Sequence, residues 1–365
     1  MHLTESLKER YIKEPFSALE AQRMAEFIAF GPIAFQVSRL MLRFGILDKL
    51  SDSKEGMTIE EVARETNLSV YAAKCLLEAS LSIGTVLVNP DTDRFEISKT
   101  GWFLLNDPAT HVNLDFNHTV CYEGMFRLEE SLREGRPAGL EHFGDWKTVY
   151  EALSSFPKDV QDSWFAFDHF FSDSSFPEAM EIVFKNKPKT LLDVGGNTGK
   201  WALKCVGYDA DVKVTIADLP QQIRMMQENV KGKKGADRIL GYGVNLLDEE
   251  SELPSNHFDV IWMSQFLDCF SEDEVESILR RAASIMDDNT TLYIMETFWD
   301  RQRFEAAAMC LTLISLYFTD IANGNSKMFH SDDLKRVIEK VGLQIVEVHD
   351  NLGQGHTLLG VKKKN

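Results

Sequence analysis

At 365 residues the chain is long enough for about two domains and for a core that needs no disulfide staples. Its 39 basic and 57 acidic side chains leave a formal net charge of −18, the wrong sign for gripping a phosphate backbone or an anionic membrane. The five cysteines (Cys75, Cys121, Cys205, Cys269, Cys310) are dispersed with no C-x-x-C pair, which points to reduced thiols in a cytoplasmic setting and to no metal site.

Met1 to Tyr11 alternates charged and apolar residues and has no hydrophobic leader run. Phe30 to Leu50 is strongly apolar, with Ile33, Val37, Leu40 and Phe44 at helical spacing. A helix this greasy predicts packing against another chain or domain. Thr58-Ile59-Glu60-Glu61 is a capping box that opens a short helix, and Ser69 caps a second, Val70 to Ile83. Thr85 to Val88 and Arg94 to Ile97, joined by the turn Asn89-Pro90-Asp91, read as a hairpin. Helix, turn, helix and two-stranded wing make a winged-helix pattern. A recognition helix presents Arg, Lys, Asn or Gln to base edges. Val70 to Ile83 offers only Lys74, offset by Glu78, and the preceding helix carries Glu60, Glu61 and Glu65. The module therefore reads as an interaction surface, without nucleic acid as a partner.

Asp115 to Lys187 predicts helices rich in aromatics, broken at Gly135, Pro137 and Gly139. Most of these aromatics suit a core; Phe167-Asp168-His169-Phe170 is a candidate pocket lining. Thr190 to Val194, Val212 to Ala217, Ile239 to Val244, Val260 to Met263 and Leu292 to Met295 predict five strands of a parallel sheet covered on both faces. Gln344 to His349 and His356 to Val361 add an antiparallel edge. Ala306 to Phe318 is the most apolar run; its 13 residues fall short of the ~20 that span a bilayer, and a buried helix is expected. The fold class is α/β: a Rossmann-like doubly wound, mostly parallel sheet with an antiparallel edge strand, preceded by a helical winged-helix domain. The expected boundaries are 1–114 for the winged-helix domain, 115–187 for a helical linker that contributes to a pocket, and 188–365 for the sheet domain.

The sharpest chemical signal is Leu192-Asp193-Val194-Gly195-Gly196-Asn197-Thr198-Gly199. A strand ends, glycines turn the chain, and a helix begins near Lys200 with its first N–H groups open to a ligand. The spacing is neither the G-x-G-x-x-G of dinucleotide sites nor a P-loop. Ala217-Asp218-Leu219-Pro220 puts an acid at the end of the next strand, where it can accept both hydroxyls of a ribose or simply cap the following helix. Asp193, ahead of the glycines, favours a ligand with a positive end. S-adenosylmethionine carries an ammonium, a sulfonium and no phosphate, and it meets that requirement.

On these residues the chain resembles the class I S-adenosylmethionine-dependent O-methyltransferases with an N-terminal winged-helix dimerisation domain, the plant phenolic and bacterial polyketide type. The resemblance runs from about Pro32 to the C-terminus. It implies a homodimer joined through the N-terminal domain, a small aromatic or hydrophobic acceptor, S-adenosyl-L-methionine as cofactor and S-adenosyl-L-homocysteine as product. Carried over by motif, Asp193, Gly195, Gly196 and Gly199 hold the methionine end, Asp218 and Leu219 the ribose, and Asn245 and Leu246 the adenine. Ser264, where the family often has a lysine, and Gln265 complete the cofactor set. Phe167, His169, Phe266, Phe270 and Met309 are the implied acceptor contacts.

The catalytic station departs from the pattern. The family reads Leu-His-Asp-Trp there, with the His as general base. This chain reads Phe266-Leu267-Asp268-Cys269-Phe270-Ser271, and a capping box of Ser271 with Glu274 fixes the register, so Asp268 takes the histidine's place. Of two glutamates in the family pattern, one survives as Glu296 at the end of the fifth strand of the sheet and the other is Met328. Asp268 and Glu296 are thus the catalytic candidates. At its reference pKa of ~3.9 an Asp is a poor base for a phenol near ~10, a gap of roughly 8 kcal/mol that burial of the Asp would narrow. His169, His330 and His356 are the alternative bases. Three readings stand: methyl transfer to oxygen, a relative with altered or lost chemistry, and a non-catalytic ligand-sensing winged-helix regulator.

Overall fold

The computed structural model describes residues 2–364. The chain divides into two compact units, Glu14–Thr119 on the one hand and Met1–Lys13 with Val120–Asn365 on the other. Three expected segments thus become two. The helix Glu5–Tyr11 joins the larger unit because Leu7 is fully buried there, Thr4 Oγ1 donates to the Gln302 carbonyl at 2.9 Å, and Arg10 pairs with Glu305 at 2.6 Å. The expected linker is no separate body either, since Phe176, Met180 and Val183 share one apolar cluster with Leu191 and Trp201.

In the smaller unit the long greasy helix is two helices, Gly31–Arg43 and Ile46–Asp52. Gly45 breaks them at φ +70°, a conformation that costs a side-chain-bearing residue energy. The expected capping box opens Ile59–Thr66: Thr58 Oγ1 accepts from the Glu61 N–H at 3.3 Å and Glu61 Oε2 from the Thr58 N–H at 2.9 Å. Helix Val70–Ile83 and the hairpin of β1 (Val86–Asn89) with β2 (Arg94–Ile97) complete a winged helix around Met41, Leu47, Val62, Leu77 and Phe95.

The larger unit holds a seven-stranded sheet of β3 (Thr190–Val194), β4 (Lys213–Asp218), β5 (Ile239–Gly243), β6 (Val260–Ser264), β7 (Thr291–Glu296), β8 (Leu343–Leu352) and β9 (His356–Lys363). The order is β5-β4-β3-β6-β7-β9-β8, with β3 to β7 parallel and β9 antiparallel to both its neighbours. Successive residues point to opposite faces: Leu192, Ile261 and Leu292 enter one core, and Leu191, Trp262 and Tyr293 the other. This is why the runs read as continuously apolar. The edge strand β5 departs from the pattern, for only Ile239 is buried in it. Strand order reverses between β3 and β6, and open sheets bind ligands beyond the carboxyl ends of strands at such a switch.

The apolar run near the C-terminus is not the buried helix expected. Helix Glu305–Tyr317 continues through a π-turn, Phe318–Ala322, giving 18 residues long and apolar enough to cross a membrane by length and composition. Its second half packs into the unit through Tyr317, Phe318 and Ile321, and the buried Asp320 accepts from Ser131 Oγ at 2.6 Å. The first half is covered on one flank only: Met309 and Leu313 are exposed.

Candidate active site

Asp193 is the last residue but one of strand β3, and its register partners are Ile216 on β4 and Trp262 on β6. The carboxylate is 2 % exposed, and its Oδ2 has no hydrogen-bond partner. Beside it Trp262 stacks on Trp201 at 4.1 Å and 13°. Burial, with the charge of Asp218 adding to it, pushes the Asp193 carboxyl up to about 8.

The loop after β3 follows from that side chain. A Cβ on Gly196 would lie 2.6 Å from Asp193 Oδ2, and one on Gly195, at φ +75°, would lie 2.3 Å from the Phe266 ring. Gly199 turns the chain at φ +79° into helix Lys200–Tyr208. Asp218 ends β4 and ties the loop down: Oδ2 accepts from the Asn197 N–H at 2.8 Å and Oδ1 from the Leu219 N–H at 2.7 Å. Burial raises its carboxyl, and these two bonds oppose the shift. Each carboxylate oxygen keeps a second lone pair for a ligand.

Asp168, His169, Asp173, Asp193, Gly195, Gly196, Lys200, Ser264 and Gln265 line one cleft beyond the carboxyl ends of β3 and β6. Asn197 (φ +48°) and Gln265 (φ +45°), both in its wall, hold left-handed backbone, which asparagine takes readily and glutamine rarely. Such strain gathers at ligand sites. Gln265 Oε1 is a further buried atom without a partner. Glycines that no other residue could replace, an orphaned carboxylate oxygen and an acid at the next strand end fit a cationic nucleoside such as S-adenosylmethionine.

Beyond Gln265 the chain makes a tight turn, Leu267–Cys269. Glu296, at the end of β7 and 1 % exposed, lies under that turn; its Oε1 accepts from Phe266 N–H at 3.1 Å and Leu267 N–H at 2.9 Å. Burial and the neighbouring Asp268 raise the Glu296 carboxyl well above its ordinary value. Asp268 is 4 % exposed and accepts from the Cys269 thiol at 3.6 Å. Its carboxyl is pushed up to about 7, chiefly by burial; the thiol opposes the shift and Asp168 adds to it. Asp168 in turn is raised to about 6, first by burial and then by Asp173, against Lys200. The expected capping box follows: Ser271 Oγ accepts from the Glu274 N–H at 3.4 Å.

Other expected contacts scatter. Asn245 is exposed past the end of β5, with Oδ1 accepting from the Leu247 N–H at 3.1 Å, and Leu246 belongs to the core. Phe270 packs edge-on against Phe266 at 4.9 Å and lines a different cavity with Ser131, Gly324 and Lys327. Phe167 packs against Phe171, and Met309 lies on the exposed flank of its helix. Met328 is buried and brings no charge. Of the three histidines only His169 lines the cleft, stacked on Phe165 at 5.8 Å, and burial lowers its pKa. His330 Nδ1 accepts from the Asp332 N–H at 3.1 Å and so caps a helix. His356 is wholly buried and held down to about 4 by that burial. Sequence reasoning missed Asp173, Lys200, Trp201 and Trp262 as cleft residues. Asp168 lay in a stretch marked as pocket lining, whereas the tryptophans read only as strand and helix filler.

This fold and cleft define the class I methyltransferase type. Residues 22–95 match the Dimerisation2-like domain and residues 167–348 match a methyltransferase domain. The chain belongs to the S-adenosylmethionine-dependent O-methyltransferase family, whose cofactor is S-adenosylmethionine. It is 22 % identical over 278 residues to L-tyrosine C(3)-methyltransferase of Streptomyces lavendulae, covering 74 % of this chain and 73 % of that one. It is also 22 % identical over 280 residues to cephaeline 6'-O-methyltransferase IpeOMT1 of Carapichea ipecacuanha, covering 74 % and 75 %. A crystal structure of the S-adenosylmethionine-dependent methyltransferase SibL in its apo form shares the fold, with a TM-score of 0.69 at 21 % identity over 93 % of this chain and 98 % of that one.

A raised carboxyl pKa means the folded chain holds protons that the unfolded chain has released. That contribution to stability is full below the ordinary carboxylate range and is lost as pH rises toward about 8 for Asp193. Denaturant melts of the protein without cofactor are expected to show stability falling between pH 5 and 8, with Asp193→Asn recovering up to about 4 kcal/mol of the loss. A variant with the parent's pH profile would contradict this burial.

Proposed function

We propose that the protein transfers a methyl group to a small aromatic hydroxyl acceptor, with Asp268 as the general base. S-adenosylmethionine supplies, when bound, an electrophilic methyl group on its sulfonium. Asp193 and the Gly195-Gly196 backbone would hold the methionine end, Asp218 and the Leu219 backbone the ribose, and Asn245 with Leu246 the adenine end. Ser264 and Gln265 would close the wall beside the methyl group. His169 in the cleft and Phe266 against Gly195 stay as proposed acceptor contacts, whereas Phe167, Phe270 and Met309 lie in other surroundings.

The observation that carries the reading is the environment of Asp268, buried on a turn whose preceding residues line the cofactor cleft and lifted to about 7. Against a phenol near 10, the gap in basicity shrinks from about six units to about three, or ~4 kcal/mol for full transfer. A base matched this way removes the hydroxyl proton as attack begins, and in-line alignment without bulk water does the rest. We assign Glu296 a positioning role, since its carboxylate holds the turn that carries Asp268. One relative is named for transfer to carbon 3 of tyrosine and another for transfer to oxygen. Ionising a phenol activates both its oxygen and its ortho carbon, so the task of Asp268 is the same in either outcome.

A two-fold dimer through the smaller unit goes with this reading. Phe30 and Ile33 are 58 % and 60 % exposed, and Phe44 is 39 % exposed, an apolar surface suited to an isologous contact within the Dimerisation2-like region. The five thiols are free of disulfides, which supports a reducing, cytoplasmic setting. Sedimentation at micromolar concentration is expected to give a dimer, and Ile33→Asp a monomer. A parent chain sedimenting as a monomer would count directly against the interface.

For the base, activity on a neutral phenol is expected to rise with pH through about 7, as Asp268 loses its proton. Asp268→Asn is expected to lose roughly 10²–10⁴ in rate on that acceptor while sparing an acceptor already ionised in solution. Equal turnover of variant and parent on the neutral phenol would end the proposal.

A further inference from the structure

The cofactor of this family carries an α-carboxylate beside its α-ammonium, yet three carboxylates, Asp168, Asp173 and Asp193, line the cleft. That lining would repel the carboxylate unless something balances it. His169 is no help near neutral pH, because burial lowers its pKa. Lys200 is the fixed cation among the described residues of the lining, and its Nζ lies 3.1 Å from Asp173 Oδ2.

Lys200 also stands where helix formation disfavours it. It is the first residue of helix Lys200–Tyr208, and a cation in the first turn opposes the positive end of the helix dipole. The pair gives little back, since the Lys200 and Asp173 side chains are 38 % and 40 % exposed and ion pairs so open to water add little to stability. A lysine at odds with its helix and in a weak ion pair has little structural reason to be there. It does have a ligand-binding one: its ammonium and the free N–H groups of that first turn both favour an incoming carboxylate. The orphaned, buried Asp193 Oδ2 in the same lining independently marks the cleft as built for a ligand with positive charge.

We infer that Lys200 and Asp173 form a clamp for the zwitterionic end of the cofactor, Lys200 taking the α-carboxylate and Asp173 the α-ammonium. The inference rests on the S-adenosylmethionine reading of the cleft. In the free protein the two side chains satisfy each other. On binding, each exchanges its partner for the complementary group of the ligand, so no net charge is buried unpaired.

Two probes separate this end of the ligand from the rest: S-adenosylhomocysteine, and 5′-methylthioadenosine, which keeps the nucleoside thioether but lacks the amino-acid end. Titration calorimetry on the full chain is expected to show Lys200→Met losing roughly 10–100-fold in affinity for S-adenosylhomocysteine, the scale of a charged hydrogen bond. Its affinity for 5′-methylthioadenosine should stay within about twofold of the parent's, a margin well below one such bond. Asp173→Asn should follow the same pattern, and Lys200→Arg should keep most of the parent's preference. Unchanged S-adenosylhomocysteine binding by Lys200→Met overturns the clamp alone, as does a parallel loss for both probes. A parent chain that binds neither probe overturns the cofactor reading, and the clamp with it.

Discussion

The site depends on one constraint: a carboxylate is buried near the end of the central strand without a cation against it. Asp193 sits where the strand order reverses, between β4 and β6, and takes its surroundings from Ile216 and the stacked Trp262 and Trp201. An ionised group there is costly unless a charged partner arrives. The local sequence accommodates it. Gly196 has no side chain because the Asp193 oxygen occupies that space, and Gly195 has none because the Phe266 ring does. Asp218 then spends its hydrogen bonds on the loop backbone and holds the cradle in shape.

The same economy is repeated one layer further along the sheet. Glu296 at the end of β7 is buried and accepts from the backbone of the turn after β6, and that turn presents Asp268. Burial raises all three acids, and a neighbour adds to each: Asp173 to Asp168, Asp168 to Asp268, and Asp268 to Glu296. The environment thus offsets the choice of residue: an aspartate, ordinarily far too weak a base for a phenol, is lifted toward the range in which a histidine would work. Under the proposed roles, holding the cofactor's positive charge and activating the acceptor would both rest on carboxyls desolvated near the strand ends.

Much of this was legible in the sequence. The glycine loop fixed the strand–turn–helix around Asp193, and the Ser271–Glu274 capping box set the register that made Asp268 stand out. The five apolar runs were legible as buried strands, because a sheet covered on both faces needs no alternation. Three things were not. Gly45 splits a helix that reads as continuous, because apolar periodicity runs through it and only backbone geometry reveals the break. The exposed flank of Glu305–Tyr317 cannot be told from a buried one when every face is apolar. The cleft residues Asp173, Lys200 and Trp262 come from three different elements, so no local motif joins them; tertiary packing alone sets Lys200 against Asp173.

In the free protein the buried carboxyls are expected to hold protons until a cationic cofactor takes their place. Proton exchange on binding tests it most directly, by calorimetry at pH 7 in buffers of different ionisation enthalpy. S-adenosylmethionine is expected to release protons to the buffer, up to about one per site, because its sulfonium restores ionised carboxylates. S-adenosylhomocysteine, without that charge, should release fewer. Binding of both ligands with no proton release, or with equal release, would contradict the account.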